Sequence, residues 1–131
     1  MVVVDSSALI EFLGGYSNPA TDWLNHQRSF RNVIVANLVL TEVLQGIRNE
    51  RRFLAVESAL SRFQFAEIGS WDLAVKSARN YRTLQGLGIT IRSTVDCLIA
   101  TYCIENGHQL LHCDVDFDHF EHHLGLAVLH P

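Results

Sequence analysis

Short apolar runs alternate along this chain with longer segments in which apolar residues recur every three or four positions. Val2–Val4 and Val33–Val35 are β-branched and apolar throughout, which is typical of buried strands in a parallel sheet. Weaker strand patterns cover residues 65–68, 110–111 and 126–129. Between the strands, helical spacing predicts seven helices, running through Leu9–Leu13, Trp23–Leu24, Leu40–Ile47, Phe53–Phe63, Trp71–Leu84, Val95–Tyr102 and Phe117–His123.

Serine residues stand where several predicted helices begin. Ser6 and Ser7 offer N-cap hydroxyls to the first helix, and Ser70 and Ser93 precede the fifth and sixth helices. Because strands and helices alternate without a repeat or a linker, we predict one α/β domain over residues 1–131, with helices on both faces of a central parallel sheet.

Two groups of residues receive structural interpretations. The apolar stripe of the fifth helix runs through Trp71, Ala74, Ala78, Tyr81 and Leu84. We therefore assign Trp71 and Tyr81 to the core or to a dimer interface. Six of the seven histidines lie between His108 and His130, and we place them on the surface rather than in a zinc site.

The composition describes a chain that can bury a core of its own. Of its 131 residues, 48% are hydrophobic. No apolar run reaches the ~18–20 residues that cross a bilayer, and Asp5 interrupts the N-terminal run, which argues against a signal peptide. Cys97, Cys103 and Cys113 lack Cys-x-x-Cys spacing, which favours reduced thiols. We expect a cytoplasmic protein that does not associate with membranes.

Charge is distributed unevenly along the chain. All ten Lys and Arg residues lie at or before Arg92, together with eight acids, whereas the segment from Ser93 onward has six acids and neither Lys nor Arg. Ordinary scatter of surface charge is one explanation. The other is nucleic-acid binding, because an acidic protein can bind phosphates through a metal ion and local arginines. Arg92, four residues before Asp96, is the better phosphate candidate, and Arg48 could contact phosphates or lie on a solvated helix end.

Acidic residues follow two of the predicted strands. Asp5 is the first acid after Val2–Val4, and Asp114 is the first after Leu110–Leu111. Ligands bind outside the carboxyl ends of parallel strands, so these two carboxylates share an ion if their strands are neighbours. Asp116 could add a further ligand. Ligation by carboxylate oxygens alone favours Mg²⁺ or Mn²⁺, and such ions activate water for phosphodiester cleavage.

Each acid also has a simpler explanation. Asp5 could cap the first helix, and Asp96 could complete a capping box with Ser93. Glu42 lies off the apolar stripe of its helix, so solvent exposure is its default position. Asp114, Asp116 and Asp118 could form a solvated turn. A calcium loop is rejected because its Gly and its terminal Glu are missing, and Gly125 occupies the Glu position.

The order and local sequence of the motifs distinguish a metal site from these simpler explanations. The segments VVVDSSALIEFL at 2–13, LTEVLQGIR at 40–48, GITIRSTVDCLIA at 88–100 and LLHCDVDFDHF at 110–120 together resemble the PIN-domain family. Within that family the chain resembles the VapC-type toxins of prokaryotic toxin–antitoxin pairs. The resemblance covers essentially the whole chain. It departs from the family pattern at Cys113, where Arg, Thr or Asn is commoner.

The resemblance implies a three-layer α/β/α domain that binds Mg²⁺ or Mn²⁺ and hydrolyses RNA. It also implies a homodimer and a small antitoxin that neutralises the toxin. The implied catalytic residues are Asp5, Glu42, Asp96, Asp114 and Asp116. Asp5, Asp96 and Asp114 are the implied metal ligands. Ser7 matches a hydroxyl residue that hydrogen-bonds within the site, and we group it with Arg92 and Arg48 as residues that position the substrate.

Two alternative functions remain open from the sequence. The first is a non-catalytic PIN-like module that binds RNA or a partner protein, although all five acids are present. The second is an acid-pocket phosphotransfer enzyme, either receiver-like or phosphatase-like. Such enzymes normally need a lysine near the phosphate, and the single lysine of this chain, Lys76, lies inside the fifth predicted helix.

Overall fold

The computed structural model describes residues 1–131, which form five strands and seven helices. The strands are β1 (Val2–Val4), β2 (Val33–Ala36), β3 (Gln64–Ala66), β4 (Gln109–Leu111) and β5 (Ala127–Val128). The helices are α1 (Ser6–Leu13), α2 (Pro19–Asn25), α3 (Asn37–Gln45), α4 (Glu50–Leu60), α5 (Trp71–Gly86), α6 (Thr94–Asn106) and α7 (Asp116–Leu124). No helix is long and apolar enough to cross a membrane.

The strands form a single sheet in the order β3-β2-β1-β4-β5, and every neighbouring pair is parallel. The predicted three-layer α/β/α architecture is thus confirmed. Strand β1 lies at the centre, with Val2 in register with Val33 on one side and Gln109 on the other. The chain adds β2 and β3 on one side of β1 before it crosses to β4, so the strand order reverses between β1 and β4. Ligands of open α/β sheets bind at such a reversal.

The core lies on both faces of the sheet, and α6 is the helix that contributes the most buried residues to it. Strand residues Val3, Val4 and Leu110 are fully buried. Ile99 and Cys103 of α6 are buried as well, because the helix packs against the sheet on one side and against α5 and α7 on the others. The start of α6 is therefore rigidly placed relative to the centre of the sheet.

The buried face of α5 differs from the predicted stripe. Leu73, Ser77 and Leu84 face inward, whereas Ala74 and Ala78 are exposed. The cause is polar contact with α6: Asn80 Nδ2 donates to Thr101 Oγ1 at 3.0 Å, and the thiol of Cys97 donates to the Ser77 carbonyl at 3.2 Å. A stripe drawn from apolar residues alone misses this face.

Trp71 is the residue of the predicted stripe whose observed position differs most from its assignment. Its side chain is 88% exposed, so its assignment to the core is wrong, and only the dimer-interface interpretation stays open. Tyr81 is partly buried against the core.

The bounds of β3 differ slightly from the predicted strand at residues 65–68. Strand β3 begins one residue before that segment and ends two residues before its end. Cys97, Cys103 and Cys113 are all free thiols.

Candidate metal centre

Asp5 joins strand β1 to helix α1 and serves as the N-cap of that helix. Its Oδ2 atom accepts hydrogen bonds from the Ser7 backbone N–H at 3.0 Å and from the Ser7 hydroxyl at 2.6 Å. The predicted capping by Ser6 and Ser7 hydroxyls is wrong, because both serines lie inside the first turn of the helix. Capping by Asp5 occurs, yet it uses only one of the two carboxylate oxygens.

The other oxygen of Asp5, Oδ1, is buried and has no hydrogen-bond partner. The residue as a whole is 2% exposed. A buried carboxylate oxygen without a partner costs folding free energy. Burial raises the pKa of Asp5, and the hydrogen bonds from Ser7 and Ser6 only partly oppose that shift. An atom of this kind is suited to a cation.

Ser7 connects the two strand exits that flank the centre of the sheet. Besides donating to Asp5, its hydroxyl oxygen accepts a hydrogen bond from the backbone N–H of Cys113 at 3.0 Å. The backbone N–H of Asp5 also donates to the Leu111 carbonyl at 2.9 Å. These contacts confirm that the strands preceding Asp5 and Asp114 are neighbours, which was the condition for a shared site.

Three carboxylates converge beside Asp5. One oxygen from each of Asp96, Asp114 and Asp116 lies within 4.8 Å of the others, so together they could hold one metal ion. The predicted set of ligands had Asp5 in the place of Asp116. Asp5 is not one of the three converging carboxylates, but it lies close enough that its charge contributes to the raised pKa of Asp96.

Local backbone contacts present these three acids. In the first turn of α6, the Asp96 backbone N–H donates to the Ser93 hydroxyl at 3.3 Å. Only this half of the proposed capping box forms, which leaves the Asp96 carboxylate available to the acid group. In the loop after β4, the Asp116 backbone N–H donates to Asp114 Oδ1 at 3.0 Å.

Glu42 lies on α3 at the side of the site nearest α1. Val39 and Val43 form the buried face of α3, and Glu42 flanks that face, so its carboxylate is half-buried rather than solvent-facing. The Ser6 hydroxyl donates to Glu42 Oε1 at 3.4 Å. Burial and then the charge of Asp5 raise the pKa of Glu42.

The acids repel one another strongly without a cation. Burial, followed by the charges of Asp5 and Asp114, raises the pKa of Asp96 to about 7. Carboxylates that share a confined site disfavour simultaneous ionisation. The site is therefore only partly ionised near neutral pH unless a cation offsets its negative charge.

The structure brings one of the two candidate phosphate-binding arginines to the site. Arg92 Nε lies 3.3 Å from Asp116 Oδ2, and Arg92 Nη2 lies 3.5 Å from Asp116 Oδ1. The Arg92 side chain is 78% exposed, so its guanidinium group lies at the solvent edge of the acids. Arg48 is exposed and forms no ion pair with an acid of the site.

Sequence reasoning missed His112, which was assigned to the surface with the other histidines. Its Nδ1 atom accepts a hydrogen bond from the Asp114 backbone N–H at 3.2 Å, and its Nε2 atom is buried without a partner. The surface assignment is therefore wrong for this residue. The available signal was its position, directly after a buried strand and two residues before an acid of the site.

The single lysine of the chain does not serve the acids. Lys76 Nζ lies 3.0 Å from Asp72 Oδ2 and 2.9 Å from Glu105 Oε2. It is thus engaged on the surface of α5 and α6. An acid-pocket phosphotransfer enzyme would lack its phosphate-binding lysine here, which counts against that alternative.

The donor set fits a hard divalent cation. All the converging side chains offer carboxylate oxygens, and Asp5 Oδ1 is a buried oxygen that no protein group satisfies. Mg²⁺ and Mn²⁺ favour oxygen ligands of this kind, whereas Zn²⁺ sites usually include nitrogen or sulfur. The chemistry of this donor set is therefore that of a divalent-metal centre.

Most of the chain matches an established family of proteins. The model of the PIN domain family matches residues 2–122. The chain belongs to the PIN-domain family.

Relatives and solved structures match this chain over nearly its whole length. The chain is 25% identical over 120 residues to ribonuclease VapC11 of Mycobacterium tuberculosis, covering 90% of each chain. Its fold is similar to that of VapBC2 from Rickettsia felis, solved bound to a DNA fragment from its promoter (TM-score 0.74, 15% identity, 98% of each chain). It is also similar to M. tuberculosis VapC20, a toxin that cleaves the sarcin-ricin loop (TM-score 0.71, 16% identity, all of each chain).

Proposed function

We propose that this protein is a metal-dependent endoribonuclease, the toxin of a toxin–antitoxin pair, which hydrolyses RNA phosphodiester bonds. The observation that carries the proposal is the convergence of Asp96, Asp114 and Asp116 within 4.8 Å, beside the unpaired buried oxygen of Asp5. Membership of the PIN-domain family and similarity to proteins named VapC ribonucleases support it.

Each acid has a proposed role in this reaction. Asp5, Asp96 and Asp114 hold Mg²⁺ or Mn²⁺, and Asp116 completes the set or holds a second ion. The bound ion supplies Lewis-acid stabilisation of the charge that develops on the phosphate. Glu42, held near Asp5 by its contact with Ser6, positions the attacking water. Its raised pKa suits a group that accepts a proton.

Other polar groups position the substrate and the acids. Arg92 is exposed and reaches Asp116, so it can exchange that carboxylate for an RNA phosphate when a cation occupies the acids. Ser7 holds Asp5 in orientation through its 2.6 Å hydrogen bond. Arg48 is a weaker candidate, since it would contact RNA outside the acidic centre.

The decisive experiment is RNA cleavage by single-residue variants in Mg²⁺ or Mn²⁺. We expect Asp5→Asn and Asp96→Asn to lose at least about a hundredfold in rate, because each removes charge from the metal centre. Asp118→Asn is the matched control: it removes an acid two residues beyond Asp116 that lies outside the converging group. Activity within about threefold of wild type for either site variant would contradict the proposal and favour a non-catalytic binding module.

The proposed partner is a small antitoxin, and the proposed location is the cytoplasm, where such a pair meets its RNA. Several structural neighbours are complexes of this kind, including VapBC from Salmonella typhimurium and VapBC-1 from nontypeable Haemophilus influenzae. The chain carries six acids and no Lys or Arg from Ser93 onward. A basic antitoxin tail is therefore complementary to this part of the molecule.

We expect the antitoxin tail to inhibit by bringing an Arg or Lys to Asp5, Asp96 and Asp114, where it displaces the metal. Charge-assisted hydrogen bonds to carboxylates make such a block specific. Substituting the basic residues of the tail one at a time should restore ribonuclease activity for at least one variant, measured in a complex that stays intact. If activity stays blocked in every intact complex, the antitoxin acts by covering the RNA path instead.

A further inference from the structure

The loop that leaves strand β4 is ordered by successive side-chain contacts to its own backbone. His112 Nδ1 accepts a hydrogen bond from the Asp114 N–H at 3.2 Å, and Asp114 Oδ1 accepts one from the Asp116 N–H at 3.0 Å. Each acid of the loop therefore has its N–H bound by a side chain two residues earlier. Contacts of this type fix the local backbone conformation, and here they fix it where two carboxylates must converge.

The imidazole ring of His112 is itself held in place. It packs against the ring of Phe117, with ring centroids 5.0 Å apart and an angle of 48° between the planes. Phe117 is fully buried in the first turn of α7. Because the ring is fixed between the end of β4 and the start of α7, its Nδ1 atom has a defined direction toward the Asp114 N–H.

Stability alone does not account for a histidine at this position. When Nδ1 accepts a hydrogen bond, the neutral ring carries its proton on Nε2. That atom is buried and has no partner, so the ring leaves a donor unsatisfied at a cost in folding free energy. A phenylalanine would fill the same space beside Phe117 without that cost. What the histidine adds is the acceptor at Nδ1.

We propose that His112 is a positioning residue of the metal centre: by accepting the Asp114 N–H it holds the loop so that the Asp114 and Asp116 carboxylates meet Asp96. His112 touches neither the ion nor the RNA in this role. The inference rests on the proposed function, because it assumes that these acids bind a divalent cation.

Two substitutions separate the acceptor from the ring. His112→Phe keeps an aromatic ring against Phe117 and removes the acceptor. His112→Asn removes the ring and keeps an acceptor, since Asn Oδ1 stands at the same distance from the backbone as His Nδ1 and forms the same contact two residues on. His123→Phe is the control, because His123 is an exposed histidine of α7.

The primary measurement is Mn²⁺ affinity by titration calorimetry without RNA. We expect His112→Phe to bind Mn²⁺ at least about tenfold more weakly than wild type, as is typical when a group that orients metal ligands is lost. His112→Asn should stay within about threefold of wild type, like His123→Phe. The melting temperatures without metal should rank the two variants the other way round from Mn²⁺ affinity. His112→Phe should melt at or above the wild-type temperature, and His112→Asn should melt below it.

Either of two results would contradict this role of His112. If His112→Phe binds Mn²⁺ as tightly as wild type, or if metal affinity and melting temperature fall together in both variants, His112 is a packing residue and the inference is wrong. If wild type binds no Mn²⁺, the metal centre itself is wrong and the inference falls with it. The two failures are thus distinguished by the wild-type titration.

Discussion

The two oxygens of the Asp5 carboxylate lie in different environments, and this difference explains how one residue fits two interpretations. Oδ2 caps α1 through the Ser7 N–H, as a residue with a structural role would. Oδ1 is buried without a partner, which a helix cap does not require. A structural role and a functional role for such an acid are therefore not exclusive. The unsatisfied oxygen, Oδ1, is the atom that indicates a bound cation.

Asp96 gives the metal-free protein a characteristic pH dependence. Its pKa is raised from 3.8 to about 7 in the folded protein, so the folded state binds more protons than the unfolded state between these values. The contribution of this group to stability is therefore fully present below about pH 4 and is lost as the pH rises through about 7, by at most about 4 kcal/mol. Thermal melts in EDTA across this range should show the decline.

Added Mg²⁺ or Mn²⁺ should oppose that decline, because a cation binds the ionised carboxylates of the folded state. The rise in melting temperature on adding millimolar metal should be larger at pH 8 than at pH 5. The Asp5→Asn/Asp96→Asn double variant is the control and should gain less. An equal response in both proteins would mean that the cation binds elsewhere.

At the scale of elements, the site depends on where helices begin. Helix α1 begins at Ser6 with Asp5 as its N-cap, α6 begins at Thr94 with Asp96 in its first turn, and α7 begins at Asp116. Acids are favourable near helix N-termini, where the backbone N–H groups are unpaired. Three helix starts at one edge of the sheet thus lessen the repulsion among the acids that they present.

The capping role of Asp5 predicts different effects for two substitutions. Asn is as good an N-cap as Asp, so Asp5→Asn should melt in EDTA at or above the wild-type temperature, since it also removes a buried carboxylate. Asp5→Ala lacks the cap and should lose about 1 kcal/mol relative to Asp5→Asn. Both variants should be inactive in the cleavage assay. Equal stability of the two would show that the contacts of Asp5 with Ser7 contribute nothing to α1.

At the scale of the whole molecule, an apolar surface on α5 remains without a partner. Trp71 is 88% exposed and Val75 is 41% exposed, and Ala74 and Ala78 lie on the same exposed face. A large exposed indole beside other apolar side chains is typical of an interaction surface. We propose this face as the contact between two copies of the chain.

The proposed dimer can be tested by sedimentation equilibrium. We expect the wild-type protein to sediment as a dimer. The Trp71→Glu variant should sediment as a monomer, because the substitution places a charge within the apolar contact. Leu54→Glu is the matched control, since Leu54 is 55% exposed on α4, and it should sediment as wild type does. If the Trp71→Glu variant associates as strongly as the wild-type protein, this face of α5 is not the dimer contact.

The sequence by itself determined the architecture and the sheet edge at which two of the acids lie. The strands preceding Asp5 and Asp114 are short apolar runs, and their pattern does not depend on distant contacts. Alternation with helices then requires parallel strands and places both acids at the carboxyl edge of the sheet. The positions of β1, β2 and β4, the parallel sheet and the placement of Asp5 and Asp114 were predictable for this reason, whereas Glu42 and Asp96 were indicated only by the resemblance to the PIN-domain family.

Only the tertiary structure decided which side chains meet and which face of a helix is buried. Glu42 lies beside Ser6 because α3 packs against α1. The Ser77 face of α5 is buried because Thr101 and Cys97 of α6 form polar contacts with it. His112 acquires its role from a loop geometry that no periodicity encodes. Apolar spacing records which residues avoid water, whereas hydrogen bonds between elements distant in sequence depend on how those elements dock.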